Sequence, residues 1–206
     1  MQETRARAGY VSLIRLAQAQ ESEPLSAPLV KSGQISNMIL SYVGTNKSLQ
    51  DAYLSGKVGL ELAPQGTIAE RLRAGGAGVP AIYTPTGAGT FVETGGIPRR
   101  LSAQEQDKEQ TVIVQGIAKE VREFDGKRYL LEPAIKGDVA IIRAWKVDKA
   151  GNCVFRYVVL QDNSKELLNP DGNRYTTKAF AGLMACAARL SIVEVSNRKP
   201  SVTSRE

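Results

Sequence analysis

Residues 75–90 read GGAGVPAIYTPTGAGT, where Gly75, Gly76, Gly78, Gly87 and Gly89 are interleaved with prolines and threonine hydroxyls. Glycine lets backbone N–H groups approach an anion closely, so a phosphate cradle is the first chemistry to test. A dinucleotide fingerprint needs its glycines directly after a strand and opening a helix. Here Gly75, Gly76 and Gly78 close a helical pattern and precede an apolar run, which is the reverse order. No Lys-Ser or Lys-Thr pair follows to make a P-loop, and no Gly-x-Ser-x-Gly nucleophile elbow occurs. Two readings remain. In one, Gly75 and Gly76 cap a helix, Gly78 turns the chain, and Gly87 and Gly89 serve a surface loop. In the other, Gly78, Pro80, Thr84, Pro85, Thr86 and Gly87 build a stiff loop at the carboxyl end of a buried strand, where open α/β sheets place ligands.

Composition narrows the chemistry further. The 206 residues contain no histidine, which removes the commonest general base, the commonest zinc ligand and every Ser-His or Cys-His nucleophile. The two cysteines, Cys153 and Cys186, suit neither a metal knuckle nor a redox pair, so no metal site is expected. A net charge of +6 permits anionic partners, but Lys and Arg are scattered among Asp and Glu rather than gathered in a run. That argues against nucleic acid and leaves coenzyme A or an acidic metabolite open. No run approaches the roughly 18 apolar residues of a membrane-spanning helix, so no membrane is expected.

The elements that would position these residues follow from periodicity and punctuation. DAYLSGK reads as a short helix ending at Gly56, and VGLELAP as a half-buried strand. TIAERLRAGG reads as a helix with Thr67 as N-cap, Glu70 completing a capping box and Gly75 as the stop. Gln65 and Gly66 precede it, and by itself Gln65 is a polar residue at a helix N-terminus. VPAIYTP follows as a buried strand. Asp125-Gly126 marks a hairpin turn in KEVREFDGKRYLLE, and a second hairpin is read around Lys149–Asn152. TKAFAGLMACAARL reads as a helix and LSIVEVS as a strand. Residues 10–20 read as a short amphipathic helix, with an Arg-rich organellar presequence as the alternative. Helices alternating with strands, plus hairpins, define an α/β fold: an open sheet of mixed direction with flanking helices.

The stretch APQGTIAERLRAGGAGVPAIYTPTGAGT resembles the α subunit, or N-terminal half, of the class I CoA-transferases, nearest to the succinyl-CoA:3-oxoacid type. KSGQISNMILSYVGTNKSLQDAYLSGKVGLEL before it extends the resemblance, as do EVREFDGKRYLLEPAIKGDVAIIRAWKVDKAGNCVFR and YTTKAFAGLMACAARLSIVEV after it. The resemblance implies transfer of CoA from succinyl-CoA to acetoacetate through a glutamyl anhydride and a glutamyl thioester. No cofactor is implied, because the coenzyme A thioester is itself a substrate. The nucleophilic Glu belongs to a Ser-Glu-Asn-Gly motif of the β-type half, absent here, so no catalytic nucleophile is expected in this chain and a β-type partner is. Gln65, with Gly66 beside it, looks like the family's amide donor near the oxyanion. Gly78, Pro80, Thr84, Pro85, Thr86 and Gly87 become the cleft loop.

Departures from the family pattern set the expected organisation. Residues 1–28 lack the family's opening strand and Gly-Gly-Phe-Gly signature, and read as a divergent segment. Residues 29–195 read as a CoA-transferase α-type domain with an inserted loop at 157–174, and residues 196–206 as a tail. A diverged, truncated or mis-predicted gene product would explain this, and the alternative function is then a non-catalytic CoA-binding or interaction module. Sugar-phosphate isomerases and sensor domains of the same general fold form a remoter alternative. Eukaryotic members of the family are mitochondrial and bacterial ones cytoplasmic.

Overall fold

The computed structural model describes residues 11–14, 27–44, 46–103, 109–144, 146–148, 151–154 and 179–195. The loop expected at 157–174 and the tail at 196–206 lie outside the described residues. The chain divides into two compact units, Met1–Arg71 with Ala81–Pro133, and Leu72–Pro80 with Ala134–Glu206.

The first unit opens with strand β1 (Val11–Ile14), helix α1 (Ala27–Lys31), β2 (Ile35–Leu40), α2 (Lys47–Leu54) and β3 (Gly59–Leu62). The three strands form a parallel sheet in the order β1-β2-β3. Along β2, Ile35, Met38 and Leu40 are buried, and they pack with Leu60 of β3 against Val30 of α1 and Leu49 and Ala52 of α2. Burying each of the larger side chains contributes roughly 1.5–3 kcal/mol. Asn46 starts α2 by accepting a hydrogen bond on its side-chain oxygen from the Leu49 N–H at 3.2 Å. The β1 strand corrects the amphipathic helix expected over 10–20 at residues 11–14; residues 10 and 15–20 lie outside the described residues. Val11 and Ile14 are β-branched, which favours a strand, and β2 offers a pairing edge.

Helix α3 (Gln65–Gly76) follows β3 after only Ala63 and Pro64. Its first intrahelical bond runs from the Ile68 N–H to the Pro64 carbonyl, so Thr67 lies inside the helix and is not the N-cap. Thr67 is instead buried, 2% exposed, as its place beside Ile68 on the inner face dictates. Strand β4 (Ala81–Thr84), α4 (Phe91–Thr94), β5 (Arg100–Leu101), β6 (Val112–Val114), β7 (Val121–Phe124) and β8 (Lys127–Pro133) complete the unit. Strand β4 is half-buried rather than the buried strand read from VPAIYTP, and it pairs antiparallel with β8. The β7–β8 hairpin turns at Asp125 and Gly126, both with positive φ, as the Asp-Gly pair predicts.

The second unit contains the end of α3, then β9 (Gly137–Ala144), β10 (Lys146–Val147), β11 (Cys153–Val154), α5 (Ala179–Ala187) and β12 (Ala188–Val195). The expected second hairpin is the antiparallel β10–β11 pair, while β9 and β12 run parallel. Ala140, Ile142 and Ala144 face Ala181 and Met184 of α5, and small side chains let helix and sheet approach closely. The helix stop is Gly78, not Gly75. Gly78 has φ of 75°, and the Val79 N–H reaches back to the Ala74 carbonyl at 2.9 Å, a Schellman ending. Gly75 and Gly76 serve close packing: a Cβ on Gly75 would collide with the Ile135 carbonyl, and one on Gly76 would lie 2.8 Å from Cys186 Cβ. Strands of both directions with flanking helices, and no sheet closed into a barrel among the described residues, make this an open mixed α/β fold.

Candidate functional site

The first unit contains a cleft of about 360 Å³. Its charged lining comes from Glu61 on β3, Arg71 on α3, Arg99, Lys119 and Glu120 on connecting segments, and Glu132 on β8. Leu60, Leu62, Ile97 and Leu131 supply apolar wall, and the exposed side chains of Phe91 and Ile117 stand at its edge.

Arg71 holds the charged part together. Its Nη1 donates to Glu61 Oε1 at 2.7 Å, and its Nε donates to the Pro133 carbonyl at 2.8 Å. Glu132 Oε2 lies 3.7 Å from the same Nη1 and accepts from Lys119 Nζ at 2.9 Å. The second oxygen of Glu61 is ion-paired with Arg99. Burial pulls the Arg71 guanidinium below its ordinary pKa, and the Glu132 carboxylate opposes that shift. The Arg71 and Glu132 side chains are 7% and 1% exposed, so removing one partner would leave a buried charge uncompensated. Glu132 Oε1 has no hydrogen-bond partner and is closed off from solvent. Neither Glu61, engaged through both oxygens, nor Glu132, sealed in the wall, is presented as a nucleophile.

Gln65 and Gly66 are the first two residues of α3, both exposed, and space around Gly66 is open. Because β3 is parallel to β2, they stand at the carboxyl end of a parallel strand and at a helix N-terminus, where unpaired N–H groups favour developing negative charge. Gly78 and Pro80 are exposed residues of the second unit, beyond the end of α3. Thr84 ends β4, and its Oγ1 accepts from the Thr86 N–H at 3.3 Å, with Pro85 exposed between them. Gly87 has φ of 90° and accepts on its carbonyl from Thr90 Oγ1 at 2.7 Å. Thr90 is the N-cap of α4, a helix the periodicity did not reveal. None of Gln65, Gly66, Gly78, Pro80, Thr84, Pro85, Thr86 or Gly87 lines the charged cleft.

Glu61, Arg71, Arg99, Lys119 and Glu132, the network centred on Arg71, escaped the sequence reading, although two carried a signal. Arg71 falls on the inner stripe of α3 between Ile68 and Leu72, and Glu132 shares the buried face of β8 with Leu130, two residues before it. A charge in phase with core residues marks a buried ion pair.

The Coenzyme A transferase family model matches residues 10–204, and the chain belongs to that family. It is 51% identical over 167 residues to a succinyl-CoA:3-ketoacid coenzyme A transferase subunit of Xanthomonas campestris, covering 81% of this chain and 52% of that one. It is also 51% identical over 128 residues to the mitochondrial succinyl-CoA:3-ketoacid coenzyme A transferase 2A of Rattus norvegicus, covering 62% of this chain and 24% of the relative. The chain thus spans about half the length of the bacterial relative and about a quarter of the mammalian one. Among solved structures, the acyl-CoA transferase apoenzyme of Escherichia coli O157:H7 aligns with a TM-score of 0.51 at 25% identity, covering 82% of this chain and 34% of that one. Glutaconate coenzyme A-transferase from Acidaminococcus fermentans, 16% identical with a TM-score of 0.51 over 80% of this chain and 48% of that one, shares the fold. Among the described residues no helix is long and apolar enough to cross a membrane.

Proposed function

We propose that this chain is the α-type half of a CoA-transferase that moves CoA from succinyl-CoA to a 3-oxoacid such as acetoacetate, with a β-type half supplying the nucleophilic glutamate. The observation that carries this reading is the 51% identity with a bacterial subunit whose name specifies the succinyl-CoA:3-ketoacid reaction. In that reaction the glutamate carboxylate attacks the thioester carbonyl and expels CoA thiolate, leaving a succinyl-glutamyl anhydride. The thiolate then attacks the glutamyl carbonyl, releasing succinate and forming an enzyme thioester. The acceptor carboxylate attacks that thioester and expels the thiolate, which finally attacks the acceptor's acyl carbon and frees the glutamate. No proton or electron is gained overall, so neither a cofactor nor a metal is required.

Each attack passes through an oxyanion, and the contribution assigned to this chain is to stabilise it. Gln65 supplies a neutral amide donor beside the N–H groups that open α3, and Gly66 leaves room for the substrate because nothing lies within 4 Å of where its Cβ would be. In this reading the loop from Thr84 to Gly87 faces the substrate cleft completed by the β-type half, apart from the charged cleft it does not line. The compartment follows the source, the mitochondrial matrix in a eukaryote and the cytoplasm in a bacterium. The test is to combine the chain with a β-type partner and follow acetoacetyl-CoA formation. Turnover by the mixture is expected, with kcat falling about 10²–10³-fold in Gln65→Ala. Absence of both complex and turnover overturns the reading; thioester binding without turnover in any mixture would instead identify a non-catalytic binding module.

A further inference from the structure

We propose that Arg71 is a positioning residue, whose buried fork of contacts sets the direction in which α3 leaves the sheet and so places Gln65 at the reacting centre. This rests on the reading above that Gln65 faces the oxyanion. Glu61 is on β3, and the chain reaches the start of α3 after only Ala63 and Pro64. A link so short lets the helix pivot about Pro64, and the packing of buried Ile68 and Leu72 is non-directional, so a second, directional point must fix its angle. Arg71, almost two turns into the helix, supplies that point. Its Nη1 ties it to Glu61 at 2.7 Å, on the strand the helix has just left. Its Nε ties it to the Pro133 carbonyl at 2.8 Å, on β8 of a different sheet.

The guanidinium plane makes the two directions inseparable, because Nε and Nη1 donate in a fixed geometry. Arg99 ion-pairs with the acceptor Glu61, and Lys119 holds the Glu132 carboxylate that lies 3.7 Å from Arg71 Nη1. Such a network is a poor device for stability alone, since apolar side chains of similar volume often stabilise as well or better. A fixed angle between β3 and α3 is what apolar replacements do not reproduce.

Two variants test this, each assayed as the full chain with a β-type partner. Glu61→Leu/Arg71→Met/Glu132→Leu replaces the buried charges together, and Arg71→Lys keeps the charge but loses the fork. Both are expected to keep KM within about twofold while kcat falls at least tenfold, as loss of an interaction made only in the transition state requires. Hydrogen exchange at Ile68 and Ala69, the first bonded amides of α3, is expected to accelerate about tenfold, with exchange in β2 and β8 unchanged. Wild-type exchange at Ile68 and Ala69 in Arg71→Lys overturns the proposal, as does full rescue of kcat by the lysine. If the triple variant does not fold, Arg71→Lys alone decides. If the wild-type mixture has no turnover, the functional reading fails, and the exchange measurement still decides whether Arg71 orients the helix.

Discussion

The Glu93 carboxylate accepts a hydrogen bond from the Gly89 N–H at 2.6 Å, fastening the glycine-rich loop onto the helix that follows it. The N–H groups of Thr86, Ala88 and Thr90 are also engaged within the loop, by Thr84 Oγ1 and by the carbonyls of Pro85 and Gly87. Four donors that a phosphate would need are therefore already in use. The loop is a self-satisfied turn that leads into α4.

Removing the Glu93 carboxylate takes away a charge-assisted acceptor, and its pairing with exposed Arg128 adds little. Glu93→Ala is expected to lose about 1.5–3 kcal/mol of stability, and Thr90→Ala about 1 kcal/mol through loss of the N-cap. Urea denaturation of both variants measures this. Unchanged midpoints would mean that the loop is held by something other than these bonds.

The glycines of α3 and its exit separate by the reason each is glycine. Gly75→Ala drives a Cβ into the Ile135 carbonyl and is expected to cost about 1–3 kcal/mol. Gly78→Ala forces a side chain into the left-handed region at φ of 75°, costing roughly 1–2 kcal/mol. Gly66→Ala meets open space in a helix and is expected to stabilise by up to about 1 kcal/mol. Thermal melts of the three variants should move in opposite directions, down for Gly75 and Gly78 and up for Gly66.

The phenol of Tyr83 donates to Glu120 Oε1 at 2.6 Å, and this hydrogen bond, assisted by partial desolvation, raises its pKa above the ordinary 10.0 against the pull of Arg122. A folded-state pKa above the unfolded one means that the stabilisation is fully present below about pH 10 and is lost as pH rises through the folded value. The difference in 295 nm absorbance between wild type and Tyr83→Phe isolates this titration. Glu120→Gln is expected to move its midpoint down, and an unmoved midpoint would refute the assigned cause.

Much of the fold was legible along the chain because its signals are local. The Asp125-Gly126 hairpin followed from two residues that tolerate positive φ, and periodicity located β3, β12 and parts of α2 and α5, although α2 begins at Lys47, before DAYLSGK, and Ala188–Leu190, read as helix, belong to β12. The failures came where a partner distant in sequence overrode a local preference. Thr67 satisfies every local requirement of an N-cap, yet the chain entered the helix earlier, at Pro64, and buried it. Gly75 has the composition of a stop, but Gly78 is the residue that turns left-handed. Strand β1 lies in a stretch read as helix, because pairing with β2 is a tertiary contact.

The sequence by itself determined the family, through a long ordered series of matching segments, and with it the open mixed α/β fold. It also excluded histidine chemistry, because the residue is absent. Only the tertiary structure decided that Glu61, Arg71, Arg99, Lys119 and Glu132 form one ion-paired cleft. Arg71 and Glu132 are 61 residues apart in the chain, one on helix α3 and the other on strand β8, and no local periodicity encodes their meeting. The charges became informative once folding removed them from water, where each must find its partner.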